Sequence, residues 1–290
     1  MNYQLQNEKI ILTVSSSGAE MQSIVKDGRE YLWNGDETYW GEHSPLLFPY
    51  VGRFTEGKYI LGGREYQMNI HGFAKSSEFS LVKQTEDQLI FEICDTEDTY
   101  KIYPFHFCLR VVYTLLDQDI RIEYQVQNQS DSWMYFGIGG HPGFRLPMEE
   151  ETKFEDYYLE FDVECHPDRI GHTEACFLSG NNTRYPLEEN RRLPLYHEMF
   201  DDDAIVLQNM ADHVTLKTDK GNRKVTLYYP KLPYLGIWHA PKTTAPYVCI
   251  EPWTSLPSRQ DIVEDISFKP DLIRLKAGEN YSNCWSITIE

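Results

Sequence analysis

Apolar and polar residues alternate along much of the chain. In 119–127, Ile120, Ile122, Tyr124 and Val126 share one face, and Arg121, Glu123, Gln125 and Gln127 the other. A period of two marks a strand with one buried face. Similar runs recur at 8–15, 30–35, 58–63, 65–69, 88–94, 105–116, 213–219, 223–229, 247–251 and 284–290. Asp27-Gly28, Gly62-Gly63 and Lys220-Gly221-Asn222 separate neighbouring runs and suit tight hairpins. Helical patterning is confined to 187–203 and 260–266, where Pro194 and Pro270 limit it. The segment 148–190 is rich in charge, proline and turn residues, and reads as long loops within one domain. The pattern predicts an all-β chain, a large antiparallel sandwich with few short helices, forming a single domain over 1–290.

A chain of 290 residues is long enough to bury about 75% of its unfolded surface without staples. Lys and Arg number 27 against 45 Asp and Glu, a net charge of −18. That field repels nucleic acid and anionic membranes, which are therefore excluded as main partners. The apolar runs are strand-sized and fall short of the roughly 18 residues of a membrane helix. The first residues carry Glu8 and Lys9 and no apolar stretch of secretory type, so a cytoplasmic protein is expected. Cys94, Cys108, Cys165, Cys176, Cys249 and Cys284 are scattered without a C-x-x-C pair, which predicts reduced, mostly buried thiols.

Several motifs fail on context. Residues 52–58 match G-x-x-x-x-G-K, but Tyr59 follows and the next segment reads as a hairpin, not a phosphate-binding helix. His71 and His141 lack a ligand partner at short spacing, so no metal is expected. Four segments survive. In Gly137-Ile138-Gly139-Gly140-His141-Pro142, glycines precede a histidine that the proline holds extended, and such glycines mark close approach to the backbone. In Tyr247-Val248-Cys249-Ile250-Glu251-Pro252-Trp253, a carboxylate ends an apolar strand. Desolvation there would raise its pKa toward the range of a proton-transfer group. Gly52-Arg53-Phe54 and His71-Gly72-Phe73 each set a polar side chain beside glycine. Individually, each also fits a structural role.

Taken in order, G-R-F, H-G-F, G-G-H-P-G-F, D-A-I-V-L and C-I-E-P-W resemble the aldose 1-epimerase (mutarotase) family, in particular its LacX-like branch. The resemblance spans nearly the whole chain. It implies a galactose mutarotase-like β-supersandwich, no cofactor, and a small-molecule sugar substrate for a monomer or homodimer. It further implies that His141 is the general acid and Glu251 the general base. Arg53, His71 and Asp203 would hold the sugar, with Asp201 and Asp202 adjacent alternatives, and Trp238 would form an apolar wall. Gly52 stands where galactose mutarotases have Asn, and Pro142-Gly143 where they have a Tyr-containing segment. The natural sugar is left open. Two other functions fit the same residues: a carbohydrate-binding protein without catalysis, and a glycoside hydrolase or lyase using Asp203 and Glu251.

Overall fold

The computed structural model describes all residues, Met1–Glu290. Every pairing between its strands is antiparallel. A nine-stranded sheet runs from Arg192–Pro194 through Tyr157–Phe161, His213–Thr218, Val225–Tyr228 and Asn280–Ile289 to Asp119–Asn128, Phe107–Leu116, Gln88–Cys94 and Ser80–Gln84. An eight-stranded sheet runs from Thr183–Arg184 through Asp168–Arg169, Ile205–Gln208 and Tyr234–Trp238 to Tyr247–Trp253. Beyond that strand lie Gly139–Gly140 and Leu46–Leu47, with Gly143–Arg145 also pairing on it. A four-stranded meander, residues 2–30, and two hairpin-sized ladders complete the fold. The main core is a cluster of 62 buried residues reaching from Leu5 to Ile289.

Strand Asp119–Asn128 shows why the alternation was informative. Ile120, Ile122, Tyr124 and Val126 are buried, whereas Arg121 and Gln127 are exposed. Asp27-Gly28 and Gly62-Gly63 turn their hairpins with φ of 51° and 73°, and 57° and 76°, the left-handed pairs that such turns require. The G-x-x-x-x-G-K segment folds as a 3-10 turn, Thr55–Gly57, leading into the hairpin of Lys58–Leu61 and Arg64–Gln67. Residues 148–190 contribute Tyr157–Phe161 to one large sheet and Asp168–Arg169 to the other.

Three expectations are corrected. Residues 187–203 hold a strand, Arg192–Pro194, and a single 3-10 turn, His197–Phe200, while 260–266 has no helix. The α-helix lies instead at Glu97–Ile102, capped by Thr96 and Thr99. It is under two turns long, too short to impose a helical period. Within 30–35, only Glu30 belongs to a strand and Leu32 makes an isolated bridge. The cysteines are not all reduced: Cys94 and Cys108 form a disulfide, their Cα atoms 4.1 Å apart. They face each other directly in the ladder of Gln88–Cys94 and Phe107–Leu116, and facing positions bring side chains within bridging reach. Of the free thiols only Cys249 is buried; Cys165, Cys176 and Cys284 are half-buried.

Gly72 has φ +76°, and a Cβ there would stand 2.6 Å from the Pro49 nitrogen, against rigid backbone. Gly28, φ +73°, has open space around the same position. G28A should therefore cost only the left-handed strain, about 1–2 kcal/mol. G72A should cost clearly more, read as a larger fall in the urea midpoint at unchanged m-value. Equal losses would mean that the backbone at Phe48-Pro49 yields.

Candidate active site

The site is built on strand Tyr247–Trp253, buried along its whole length. Val248 and Ile250 point into the main core. Tyr247, Cys249, Glu251 and Trp253 alternate to the other face, where Tyr247 and Cys249 pack with Trp33, Trp40 and Trp238. Two short ladders lie along this strand: Gly139 pairs with Trp253, and Gly143 with Cys249. Both keep one register, and continuing it between them sets His141 opposite Glu251. Pro142 and Pro252 flank this pair, one on each strand. Neither has an N–H to give the ladder, so bonding is thinned on both sides of the His–Glu position, although the Ile250 N–H still donates to the Pro142 carbonyl at 3.2 Å.

The geometry is correspondingly close. His141 Nε2 lies 3.1 Å from Glu251 Oε2. Glu251 is 1% exposed and neither carboxyl oxygen has a well-aligned hydrogen-bond donor; His141 Nδ1 is likewise unpartnered. Burial pushes the Glu251 carboxyl well above the usual range, with Asp203 adding to it and the Trp253 indole opposing. Burial also lowers His141, to about 3, with the Lys75 charge acting the same way. Both groups are thus driven toward their neutral forms. The His141 ring is held between Trp40, at 4.9 Å between centroids, and edge-on Trp238 and His71, at 5.6 and 5.8 Å.

The glycines before His141 do clear space, but for the protein's own side chains. A Cβ at Gly139 would be 2.7 Å from Trp253, and one at Gly236 on the next strand 2.8 Å from the same indole. A Cβ at Gly140 would strike Trp285. Trp253 therefore lies across two strands as the floor of a cleft of about 380 Å³.

The six residues singled out from sequence, His141, Glu251, Arg53, His71, Asp203 and Trp238, all line this cleft. His71 and Gly52 are tied both ways: the Gly52 N–H donates to His71 Nδ1 at 3.1 Å, and the His71 N–H to the Gly52 carbonyl at 2.8 Å. With Nδ1 accepting and burial keeping the ring neutral, Nε2 is left as the donor. His71 holds φ 64° and Asp203 φ 78°, strained conformations for residues other than glycine. Arg53 forms no ion pair and touches only the Ala175 carbonyl, at 3.4 Å, so its remaining donors are uncommitted. The Asp203 carboxylate accepts from the Ala204 N–H at 2.9 Å and the Cys176 thiol at 2.7 Å. Asp202 also lines the cleft; Asp201 does not.

Sequence reasoning missed Trp40, Glu42, Lys75, His172 and Cys176, which complete the wall. All lie in loops or short turns without a period or motif. Lys75 forms a 2.8 Å ion pair with Glu42 at the cleft. Arg145, which follows the His141 segment, lines a separate cavity of about 660 Å³ with Arg29 and Arg223.

The aldose 1-epimerase family model matches residues 1–288. The chain belongs to the aldose 1-epimerase family. Protein LacX of Lactococcus lactis is 31% identical over 298 residues, covering 100% of this chain and 99% of that protein. A galactose mutarotase related enzyme from Lactobacillus acidophilus superposes with a TM-score of 0.95 at 34% identity, over 100% of this chain and 97% of the other. A galactose mutarotase-like protein from Lactobacillus casei gives 0.93 at 30% identity, over 100% of both chains. The fold of this epimerase-family chain is therefore the galactose mutarotase-like β-sandwich that its sequence implied. As with any family member read this way, a sugar-processing role follows at the level of the family.

Burial of His141 has a thermodynamic consequence. The unfolded chain takes up its proton near pH 6.5, whereas the folded chain resists until about 3. Stability contributed by the neutral ring is thus complete above pH 6.5 and is lost as pH falls toward 3. Between pH 6.5 and 4.5 this amounts to about 2–3 kcal/mol. Relative to H141N, the wild type should lose that much more stability over this interval in urea titrations. Parallel pH profiles would show that His141 is protonated in the fold.

Proposed function

We propose that the protein is an aldose 1-epimerase, interconverting the α and β anomers of a hexose by opening and reclosing the ring. The observation that carries this reading is the facing His141–Glu251 pair, buried together at 3.1 Å in a cleft of sugar size. Glu251 takes the proton of the anomeric hydroxyl, the C1–O1 bond becomes a carbonyl, and the C1–O5 bond breaks. His141 gives its proton to the ring oxygen. Rotation about C1–C2 presents the other carbonyl face, and the two groups reverse roles on closure. Arg53, His71 and Asp203 fix the sugar through its oxygens, and Trp238 covers a CH face.

One proton serves both groups. Burial favours the load with that proton on Glu251 and a neutral His141. This is the load reached when the ring has opened, so the pair favours the open-chain side of the reaction. Hydrogen bonds from sugar hydroxyls to the carboxylate supply the charged load from which opening starts. A histidine facing the carboxylate supports epimerisation over hydrolysis, in which a second carboxylate activates or replaces the water.

Polarimetry across a panel of aldoses tests the reading. E251Q and H141N should each lower turnover by about 10²–10⁴, and the double variant by much less than the product. Near-wild-type turnover in either single variant removes that residue from the chemistry. Tight sugar binding with no mutarotation would make the protein a carbohydrate-binding module.

The cleft also bears on substrate charge. Arg53 and Lys75 are opposed there by Glu42, Asp202 and Asp203, and Lys75 is already paired. A neutral aldose should therefore show a higher kcat/KM than its 6-phosphate, and salt should change it little. Preference for the phosphate, weakened by salt and by K75A, would reverse the assignment.

A further inference from the structure

The face of strand Tyr247–Trp253 that carries Glu251 also carries Cys249, two residues earlier. The Cys249 thiol is fully buried and makes no hydrogen bond. Gly143 opposes it without a side chain, and the thiol is covered by Trp33 and Trp40 instead. His141 lies across the ladder. Sulfur, a ring nitrogen and a carboxylate oxygen of these three residues all fall within 4.8 Å of one another. Bonds of 2.0–2.3 Å in a tetrahedral site place ligand atoms roughly 3.3–3.7 Å apart. Side-chain adjustments of about 1 Å therefore suffice to close the three donors on one ion. Both Glu251 oxygens and His141 Nδ1 are buried without a partner, so the donor set is not already satisfied by the protein.

We propose that Cys249, His141 and Glu251 form an inhibitory site for a thiophilic divalent cation of the zinc class. One sulfur, one imidazole nitrogen and one carboxylate oxygen are a donor set zinc accepts. Three protein ligands leave a fourth position open; His141 and Glu251 line the cleft by which the cation enters, and Cys249 lies behind them. As the metal–sulfur and metal–oxygen bonds form, the thiol proton and any carboxyl proton pass to solvent, so binding tightens as pH rises. Occupancy removes both groups that the epimerase reading assigns to proton transfer, and the sugar and the cation exclude each other. The inhibition rests on that reading; the binding rests on the donor set alone. The short-range spacing that argued against a metal missed the site because the strands, not the sequence interval, bring 141 to 249 and 251.

Cobalt(II) serves as the probe on the whole chain, with the disulfide intact. The wild type is expected to take up one equivalent and show the near-ultraviolet absorption of a thiolate–cobalt bond. C249A and C249S should lose this absorption and bind zinc at least about tenfold more weakly, whereas C176A should keep both. In the polarimetric assay, zinc should abolish wild-type turnover and a chelator restore it. C249A should turn over normally and need at least about tenfold more zinc for the same inhibition. Absence of thiolate absorption in the wild type overturns the proposal, whatever the folding of the variants. So does equal zinc affinity in wild type and a folded C249 variant. Thiolate absorption in a protein that epimerises none of the sugars would uphold the cation site and reject the epimerase reading.

Discussion

The site depends on one cross-strand relationship. His141 and Glu251 occupy facing register positions where two prolines, Pro142 and Pro252, deny the ladder its donors. In an ordinary ladder the residues at 142 and 252, on either side of the pair, would donate across the strands. Here the strands stay side by side, held by pairing above and below, while the pair between them is buried with carboxyl oxygens lacking donors. Burying a carboxylate and an imidazole without donors is costly unless both are neutral. The fold meets that cost through the large sheets on either side, and the result is a pair whose protonation is set by desolvation. Asp203 and Lys75, one from each wall, push in the same directions as burial.

The rest of the cleft extends this logic. Two wall residues are anchored on backbone that is itself constrained. His71 is fixed by two hydrogen bonds to Gly52, and Asp203 by the Ala204 amide and the Cys176 thiol, both residues in left-handed conformations. Such positions persist only where the surroundings over-determine them. Arg53 differs: its guanidinium is the least committed of the polar groups, with one long contact to a carbonyl. The cleft thus combines a rigid His–Glu pair with one adaptable donor.

Much of this was legible in the sequence, for stated reasons. Period-two runs located strands such as Asp119–Asn128 and Phe107–Leu116, because one face is buried and the other solvated. The His-Pro and Glu-Pro steps pointed to strand ends with unusual side chains, though not to their facing each other. The order of weak motifs carried Arg53, His71 and Asp203. What sequence could not supply was long-range register and loop placement. Trp40 and Cys176 reach the cleft from turns with no periodic signal. The Cys94–Cys108 disulfide follows from facing ladder positions across a helix-containing connection, which no short spacing rule detects. The glycines of 137–140 were correctly read as places of close approach; the partners are Trp253, Trp285 and Ser255.

That last feature bears on how such a cleft diversifies. The Trp253 indole rests on Gly139 of one neighbouring strand and Gly236 of the other. Any larger residue at either glycine lifts or ejects the ring, and any smaller one at 253 leaves a gap in the floor of the cleft. Three separate segments of chain must therefore change together for the floor to change at all. The wall residues Trp40, Glu42, Cys176 and Asp202 carry no such mutual constraint from the sheet, since they stand on connections between strands. Selection acting on a scaffold of this kind can revise which ligand is admitted by editing loops one at a time, while the floor beneath is inherited as a block.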